Sequence, residues 1–234
     1  MDNFKAIKVL LSFVLNMIKD KKYLNDDFYN NYAVCHQLCK KVVKKSDTHF
    51  LVEGIKNIPI DGSILIAPNH VSFFDIILLM SIIDRPIAFA AALELYSYPV
   101  LNTYMEAINC VSIDRNTTDY KEIKKQLNNI NCAINENGLI VFPEGECSYN
   151  QDVSEFKKGA FMNLKKGTTR IIPTYISTPS MIKIGRWTVP KDNVLVAFGT
   201  PFKVEDEFEY KPKAEEIAKL TRNKVLQLKN KFDD

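Results

Sequence analysis

Short β-like runs alternate with helical runs along the chain after residue 47, and this alternation constrains the fold more than any other feature. The predicted strands cover residues 49–53, 63–67, 87–91, 110–113, 139–142, 170–176 and 194–198. The predicted helices cover residues 72–83, 93–106, 118–136, 157–166 and 213–229. Strands that alternate with helices predict an α/β fold, in which a central mixed, mostly parallel sheet of about seven strands is flanked by helices.

The first 45 residues differ from the rest in both pattern and charge. A helix is predicted over residues 4–19, where the polar side chains fall in one narrow stripe at steps of three and four residues. A second helix is predicted from Asp27, as its cap, to about residue 43. Residues 1–45 hold nine Lys and four Asp, a local charge of +5, whereas the whole chain has a net charge of +3.

Apolar surface on most sides of a helix is covered either by the protein's own core or by the interfacial layer of a membrane. The flanking lysines favour a membrane surface, and anionic lipid in particular. We therefore predict two parts, an amphipathic helical pair for membrane association over residues 1–45 and an α/β domain over residues 46–234. The expected location is the cytoplasmic face of a membrane, as a peripheral or monotopic protein.

Composition and charge argue against several other classes. A net charge of +3 does not indicate a nucleic-acid partner. The 5 Cys are an odd number without the paired spacing of a zinc site, so we expect neither a disulfide framework nor a structural metal. The longest apolar run is interrupted by Ser12 and Asn16, so a transmembrane helix is not expected.

A histidine and an aspartate lie five positions apart directly after the second predicted strand. Ser72 can cap the next helix, and Asp75 falls in its first turn, from which its carboxylate can reach back to one ring nitrogen of His70. The other nitrogen would then face a cleft and take a proton from a hydroxyl group, as a general base does. A hydrogen-bonded pair with a purely structural role is the alternative.

Two further stretches carry positive charge. Arg115 follows a predicted strand and offers a fork of donors that fits a phosphate, although an ion pair with Asp114 or Asp119 is the alternative. Lys157 and Lys158 begin a predicted helix, where they can attract a phosphate or form a solvated charged face.

Residues 141–148 leave an apolar strand through a turn that contains Pro143 and Gly145. Glycine at such a turn lets backbone amides approach a reacting carbonyl group, which an oxyanion site requires. A tight turn that carries a solvated Glu144 is the alternative.

The order and spacing of these stretches resemble the glycerophospholipid acyltransferases, the family of 1-acyl-glycerol-3-phosphate acyltransferase. The H-x-x-x-x-D block matches residues 70–75, the Asp-Arg block residues 114–115, the F-P-E-G block residues 142–145, and the Pro-centred strand Pro173. The resemblance covers about residues 48–200, and four ordered blocks are much more specific than one.

The resemblance implies direct acyl transfer without an acyl-enzyme. His70, held by Asp75, would take the proton from the free hydroxyl of 1-acyl-glycerol-3-phosphate or a related lysolipid. This hydroxyl would attack the thioester of acyl-CoA or acyl carrier protein, and no metal or further cofactor is implied. Arg115 would bind the acceptor phosphate, and a nearby backbone amide would be the oxyanion donor. The substrate-binding residues expected on this basis are Asn69, Arg115, Glu144, Gly145, Lys157 and Lys158.

One departure from the family pattern affects the acceptor. The family commonly has Thr-Arg-Ser after Glu-Gly, whereas this chain has Glu146, Cys147 and Ser148. Lys157 or Lys158 can compensate for the missing guanidinium, or the acceptor can carry less negative charge, as a lysophosphodiester lipid or a lyso-aminolipid does. Two rival hypotheses are a hydrolase with Cys147 or Ser148 as nucleophile and a non-catalytic lipid-binding membrane adaptor.

Overall fold

A computed structural model describes residues 3–149, 152–162, 164, 168–185 and 187–233. The α-helices in this part of the chain are α1 (Asn3–Asp20), α2 (Phe28–Ser46), α3 (Phe74–Ile82), α4 (Pro99–Ala107), α5 (Tyr120–Glu136), α6 (Val204–Glu207) and α7 (Ala214–Asp233). Its strands are β1 (Phe50–Glu53), β2 (Ile64–Pro68), β3 (Ala88–Ala92), β4 (Val111–Ile113), β5 (Leu139–Ile140), β6 (Arg170–Ser177), β7 (Met181–Ile184), β8 (Trp187–Pro190) and β9 (Val194–Phe198).

Seven of the strands form one sheet in the order β1-β9-β6-β2-β5-β3-β4. Neighbouring strands are parallel except for β6 and β9, which pair antiparallel. All five residues of β2 are buried, as a central parallel strand covered by helices on both faces requires. The predicted fold, a mostly parallel sheet of about seven strands flanked by helices, is confirmed.

Two predicted helices differ from the observed ones. The helix predicted over residues 93–106 is divided into a 3₁₀ turn (Leu93–Ser97) and α4, because Pro99 disfavours a helical Tyr98 and fits the first turn of a new helix. In place of the helix predicted over residues 157–166 there is a 3₁₀ turn, Lys158–Phe161, followed by an extended Met162. Residues 163 and 165–167 of that prediction lie outside the described residues.

The two N-terminal helices are present, and both share the core of the sheet domain. Asp27 caps α2 as predicted, because its side chain accepts a hydrogen bond from the Tyr29 amide at 3.0 Å. One face of α1 is buried in the main hydrophobic core, together with α2, α3 and strand residues. In the described part of the chain, no helix is both long enough and apolar enough to cross a membrane. The division near residue 45 into a membrane-associating part and a catalytic part stays a prediction.

A hairpin of β7 and β8 was not predicted from the sequence. It lies outside the main sheet and packs against α1 and α3. This hairpin therefore lies between the N-terminal helix and the helix that follows the His70 turn.

Candidate active site

The predicted functional residues of the first three blocks lie at one edge of the sheet because the strands that precede them are parallel. Strands β2, β5, β3 and β4 are neighbours that run in the same direction. Their carboxyl ends therefore meet at one edge, where α/β folds usually bind ligands. His70 follows β2, Arg115 follows β4, and Glu144 follows β5.

His70 and Asp75 form the hydrogen-bonded pair that their spacing indicates. His70 Nδ1 lies 2.9 Å from Asp75 Oδ2, and the same oxygen accepts the amides of Val71 and Ser72, each at 2.9 Å. The buried carboxylate can only accept from these partners, so Nδ1 carries a proton. In a neutral imidazole this leaves Nε2 as the nitrogen that can accept a proton. The geometry is that of a general base oriented by a carboxylate.

The His70 ring is held from one side and remains accessible. It stacks on Phe142 with a centroid separation of 4.0 Å and an interplanar angle of 23°. Of the His70 side chain, 14% is exposed, whereas the Asp75 side chain is only 2% exposed. A substrate can therefore reach the imidazole but not the carboxylate behind it.

Glu144 connects the third sequence block to the first. Its Oε1 accepts a hydrogen bond from the His70 amide at 3.2 Å, and the side chain is buried. Burial raises the pKa of Glu144 to about 6, an effect that hydrogen bonding from the His70 amide, the charge of His70 and contacts with Ser154 partly offset. Glu144 is thus a buried group behind the His70 turn, and the interpretation of a solvated glutamate is wrong.

Gly145 lies in a backbone conformation that suits glycine. Its φ is +76°, and a Cβ atom at this position would lie 2.8 Å from Lys157 Nζ. The Gly145 amide donates to the Phe142 carbonyl at 3.1 Å, so it is already used in the turn. The glycine therefore makes room for Lys157, and its own amide is not free to act as an oxyanion donor.

Arg115 reaches the same turn from the end of β4. Its guanidinium donates a hydrogen bond to the Gly145 carbonyl and lies 3.6 Å from Glu94, which follows β3. The ion pair considered from the sequence was with Asp114 or Asp119, whereas Glu94 is the acid found within ion-pair distance. Arg115 remains partly exposed and is near the third block, as a phosphate contact would require.

The two lysines of the fourth block have different surroundings. The Lys157 amide donates to the Pro143 carbonyl at 2.8 Å, and its side chain lies against Gly145. The amine of Lys158 instead forms an exposed ion pair with Glu215 of α7 at 2.7 Å. The structure therefore brings Lys157, but not Lys158, to the residues around His70.

Asn69 is also predicted to bind substrate, but its side chain is buried and engaged elsewhere. Its amide group donates to the Ile176 carbonyl at 2.9 Å and accepts from the Ile176 amide at 2.7 Å. These two bonds hold the end of β2 against β6. A substrate contact of Asn69 stays a prediction, and the observed contacts are those of a residue that fixes the backbone before His70.

Comparison with known protein families identifies the family of this chain. A family model for acyltransferases matches residues 49–177, more than half of the chain. The chain belongs to the acyltransferase family.

Individual relatives agree with this assignment. The 1-acyl-sn-glycerol-3-phosphate acyltransferase of Bacillus subtilis is 25% identical over 183 residues, which cover 76% of this chain and 87% of that protein. A probable 1-acyl-sn-glycerol-3-phosphate acyltransferase of Mycoplasma genitalium is 30% identical over 179 residues, which cover 71% of this chain and 65% of that protein. The chain thus spans about two thirds of the length of the second relative.

A solved structure resembles nearly the whole chain. It is the crystal structure of the 1-acyl-sn-glycerophosphate (LPA) acyltransferase PlsC from Thermotoga maritima, with a TM-score of 0.68 and 25% sequence identity. The similarity covers 96% of this chain and 98% of that chain. The predicted family, fold and class of enzyme, an O-acyltransferase, are confirmed.

The acyltransferase assignment leaves the two candidate nucleophiles of the hydrolase hypothesis without support. Burial raises the pKa of the Cys147 thiol to about 12, so the reactive thiolate is disfavoured at neutral pH. The Ser148 hydroxyl donates to the main-chain carbonyl of His70 at 3.0 Å. Both side chains instead fit a role in shaping the turn of the third block.

Three residues of this acyltransferase site were given no role from the sequence, although Phe142 belongs to the F-P-E-G block. Phe142 stacks on His70, Glu94 lies beside Arg115, and Thr188 contacts the turn after His70. The first two could have been found, because Phe142 ends one predicted strand, Glu94 follows another by three residues, and both strands have their carboxyl ends at the same edge. Thr188 belongs to the hairpin that was not predicted. Because this hairpin is not part of the main sheet, the position of the strand ends in that sheet could not indicate Thr188.

Proposed function

We propose that the protein transfers a fatty acyl group from a thioester to the free hydroxyl of 1-acyl-glycerol-3-phosphate or a related lysolipid. The observation that carries this proposal is the accessible His70 ring, with its Nδ1 held 2.9 Å from the buried Asp75 carboxylate. Nε2 takes the hydroxyl proton while the hydroxyl oxygen attacks the thioester carbonyl carbon. The carbon–sulfur bond then breaks, the imidazolium returns the proton to the leaving thiolate, and an ester remains.

A phosphate on the acceptor is supported by the cations around Gly145. The Arg115 guanidinium and the Lys157 side chain both contact this glycine, from β4 and from the fourth block respectively. Lys157 thereby supplies a positive charge near the position where the family commonly has an arginine and this chain has Cys147. The relatives named above act on 1-acyl-glycerol-3-phosphate by their names, which agrees with this acceptor.

An apolar groove of about 450 Å³ supports a fatty acyl substrate. It is bounded by α1, by the start of α4 and by the β7–β8 hairpin. Its wall residues are Ile7, Leu10, Leu11, Phe13, Val14, Met17, Tyr98, Pro99, Val100, Leu101, Ile184 and Trp187. The Trp187 ring packs edge-to-face with the ring of Phe73, three residues after His70, at a centroid distance of 4.1 Å. Trp187 thus connects one wall of the groove to the turn after His70, and acyl-CoA or acyl carrier protein would present the chain to the groove.

A panel of acceptors tests the proposal directly. Purified protein is incubated with labelled acyl-CoA or acyl carrier protein and, in parallel, with 1-acyl-glycerol-3-phosphate, a lysophosphodiester lipid and a lyso-aminolipid. We expect a labelled diacyl product, with the highest kcat/KM for the phosphomonoester. If kcat/KM is higher for the lysophosphodiester or the lyso-aminolipid, that lipid, and not 1-acyl-glycerol-3-phosphate, is the acceptor. Vesicle binding without any product would indicate the non-catalytic adaptor.

Replacing Arg115 by Ala is expected to raise the acceptor KM by about 10- to 100-fold, because a charge-assisted contact contributes about 1.5–3 kcal/mol. The donor KM should stay within about twofold, because the proposed contact is with the acceptor phosphate only. The matched control is Arg170→Ala, because Arg170 begins β6 at the opposite edge of the sheet. Equal increases in both KM values would contradict the assignment of Arg115.

Membrane association is supported by the outer face of α1. Besides the residues buried in the core, this helix exposes large apolar side chains, namely Phe4, Ile7, Leu11, Val14, Leu15 and Ile18. Lys8 and Lys19 lie on the same helix and are exposed. Exposed apolar residues flanked by lysines fit the interfacial layer of an anionic membrane. We propose a peripheral or monotopic attachment at the cytoplasmic face, where the lysolipid and the thioester donor meet.

The double variant Leu15→Ser with Ile18→Ser is expected to lower the partition constant for anionic vesicles by at least about tenfold, because each side chain loses apolar area that the lipid would cover. These residues are 64% and 56% exposed, so the fold should be retained. The control is Leu51→Ser with Ile60→Ser, whose side chains are 56% and 93% exposed on other parts of the surface. Vesicle co-sedimentation measures both. Equal losses in the two double variants would contradict attachment through α1.

A further inference from the structure

Thr188 lies in the middle of β8 and contacts the turn that carries the catalytic pair. Its side chain is fully buried, and its Oγ1 accepts a hydrogen bond from the Phe73 amide at 2.9 Å. The same oxygen lies 2.7 Å from the Ser72 hydroxyl, which itself accepts from the Phe74 amide at 3.0 Å. One hydroxyl donates to the other, so the two side chains form a continuous chain of hydrogen bonds.

These bonds complete the hydrogen bonding of the turn between β2 and α3. The amides of Val71 and Ser72 donate to Asp75, while the next two amides, of Phe73 and Phe74, donate to the two hydroxyls. The side of the turn that Asp75 cannot reach is thus held by Thr188, from a different part of the chain. A buried amide without such a partner would be costly, so the turn would rearrange if the hydroxyl were lost.

We infer that Thr188 is a positioning residue, which fixes the His70–Asp75 turn from the β7–β8 hairpin and thereby sets the rate of the transfer step. The inference deepens the proposed function and depends on it for its kinetic part. The neighbouring residue Trp187 lines the apolar groove and contacts Phe73. One hairpin therefore shapes the wall proposed for the acyl chain and also holds the turn of the proposed base.

The kinetic test compares Thr188→Val, which keeps the shape and removes the hydroxyl, with Thr188→Ser, which restores it. We expect Thr188→Val to lower kcat by about 10- to 100-fold, because small displacements of a catalytic group have effects of this size, with both KM values within about twofold. Thr188→Ser should recover kcat to within about threefold of the unmodified protein. The inference would be overturned if Thr188→Ser did not restore kcat, or if Thr188→Val raised KM and left kcat unchanged.

The matched control is Thr221→Val on α7. Thr221 is also fully buried, and its hydroxyl donates to the Ile217 carbonyl of its own helix at 2.8 Å. The Thr221→Val variant therefore loses a comparable buried hydrogen bond at a residue that does not contact the His70 turn. The kcat of this variant should be unchanged. An equal loss of kcat in Thr188→Val and Thr221→Val would overturn the inference.

A second measurement does not depend on turnover or on the folding of a variant. Amide hydrogen exchange of the unmodified protein should show the Phe73 amide protected at least about 100-fold more than amides of exposed loops, because Thr188 accepts its proton. Exchange at the rate of an exposed loop would overturn the inference. If the protein has no acyltransferase activity but this amide is protected, the proposed function fails while the structural part of the inference stands.

Discussion

Replacing His70 by Ala is expected to lower kcat by about 10²- to 10⁴-fold, the range that a general base contributes. The imidazole is the group whose Nδ1 is held by Asp75 and whose other nitrogen is left to take a proton. Initial rates of diacyl product formation from a labelled thioester measure the effect. The melting temperature of the variant should stay close to that of the unmodified protein, because the ring is partly exposed and its removal leaves the backbone of the turn bound to Asp75 and Glu144.

The matched control is His49→Ala. His49 precedes β1 and its side chain is exposed, so its loss should leave kcat unchanged. A fall of less than about twofold in His70→Ala would contradict the role of His70 as general base, because proton removal is expected to contribute at least about 10²-fold.

Replacing Asp75 by Asn is expected to lower kcat by about 10²- to 10⁴-fold as well, although the new side chain has the same shape. The amides of Val71 and Ser72 both donate to Oδ2, so they favour the amide oxygen of Asn at that position. The hydrogen bond from His70 is then kept and only the negative charge is lost. That charge stabilises the imidazolium that forms when Nε2 takes the hydroxyl proton, so its loss slows the transfer step.

The control for this variant is Asp61→Asn, an exposed carboxylate in the loop before β2. The double variant of His70→Ala with Asp75→Asn provides a second check. Because Asp75 acts through His70, the double variant should be no slower than His70→Ala alone. Losses that multiply would show that Asp75 has an independent role and would contradict the proposed pair.

The edge-of-sheet arrangement could be predicted from the sequence because the rules that produce it are local. Each of the four sequence blocks follows or contains an apolar run of strand length, and parallel strands end at one edge. The five-residue spacing of His70 and Asp75 also fixes their contact, because it spans only a turn and the first residues of a helix. The predicted pair is accordingly found at 2.9 Å.

The partners of surface charges could not be predicted in the same way. Arg115 is near Glu94 and Lys158 is near Glu215, although neither acid is close in sequence. Such pairs depend on which long side chains the folded chain brings together. Exposed ion pairs also contribute little to stability, so the sequence carries no pattern that identifies them. From the sequence, Asp114 or Asp119 was the alternative partner of Arg115, and Lys158 was predicted either to bind a phosphate or to lie on a solvated charged face.

The β7–β8 hairpin was missed for a different reason. Its strands have four residues each and lie outside the main sheet, so they lack the apolar run that identifies a central strand. A signal was present in the sequence, because Gly185 follows the short run of β7, and in the structure this glycine has a φ of +61° in the turn. The tertiary contact of Thr188 with the His70 turn has no counterpart in the local sequence.

The two-sided packing of α1 affects how this enzyme can be engineered. Ala6, Val9, Phe13 and Met17 are buried in the same core as the sheet, while the opposite face carries the exposed apolar residues. Removal of the residues before β1 would expose the core side chains that α1 covers, and this exposed apolar surface would promote aggregation. A more tractable version would keep the helix and exchange its outward side chains one at a time.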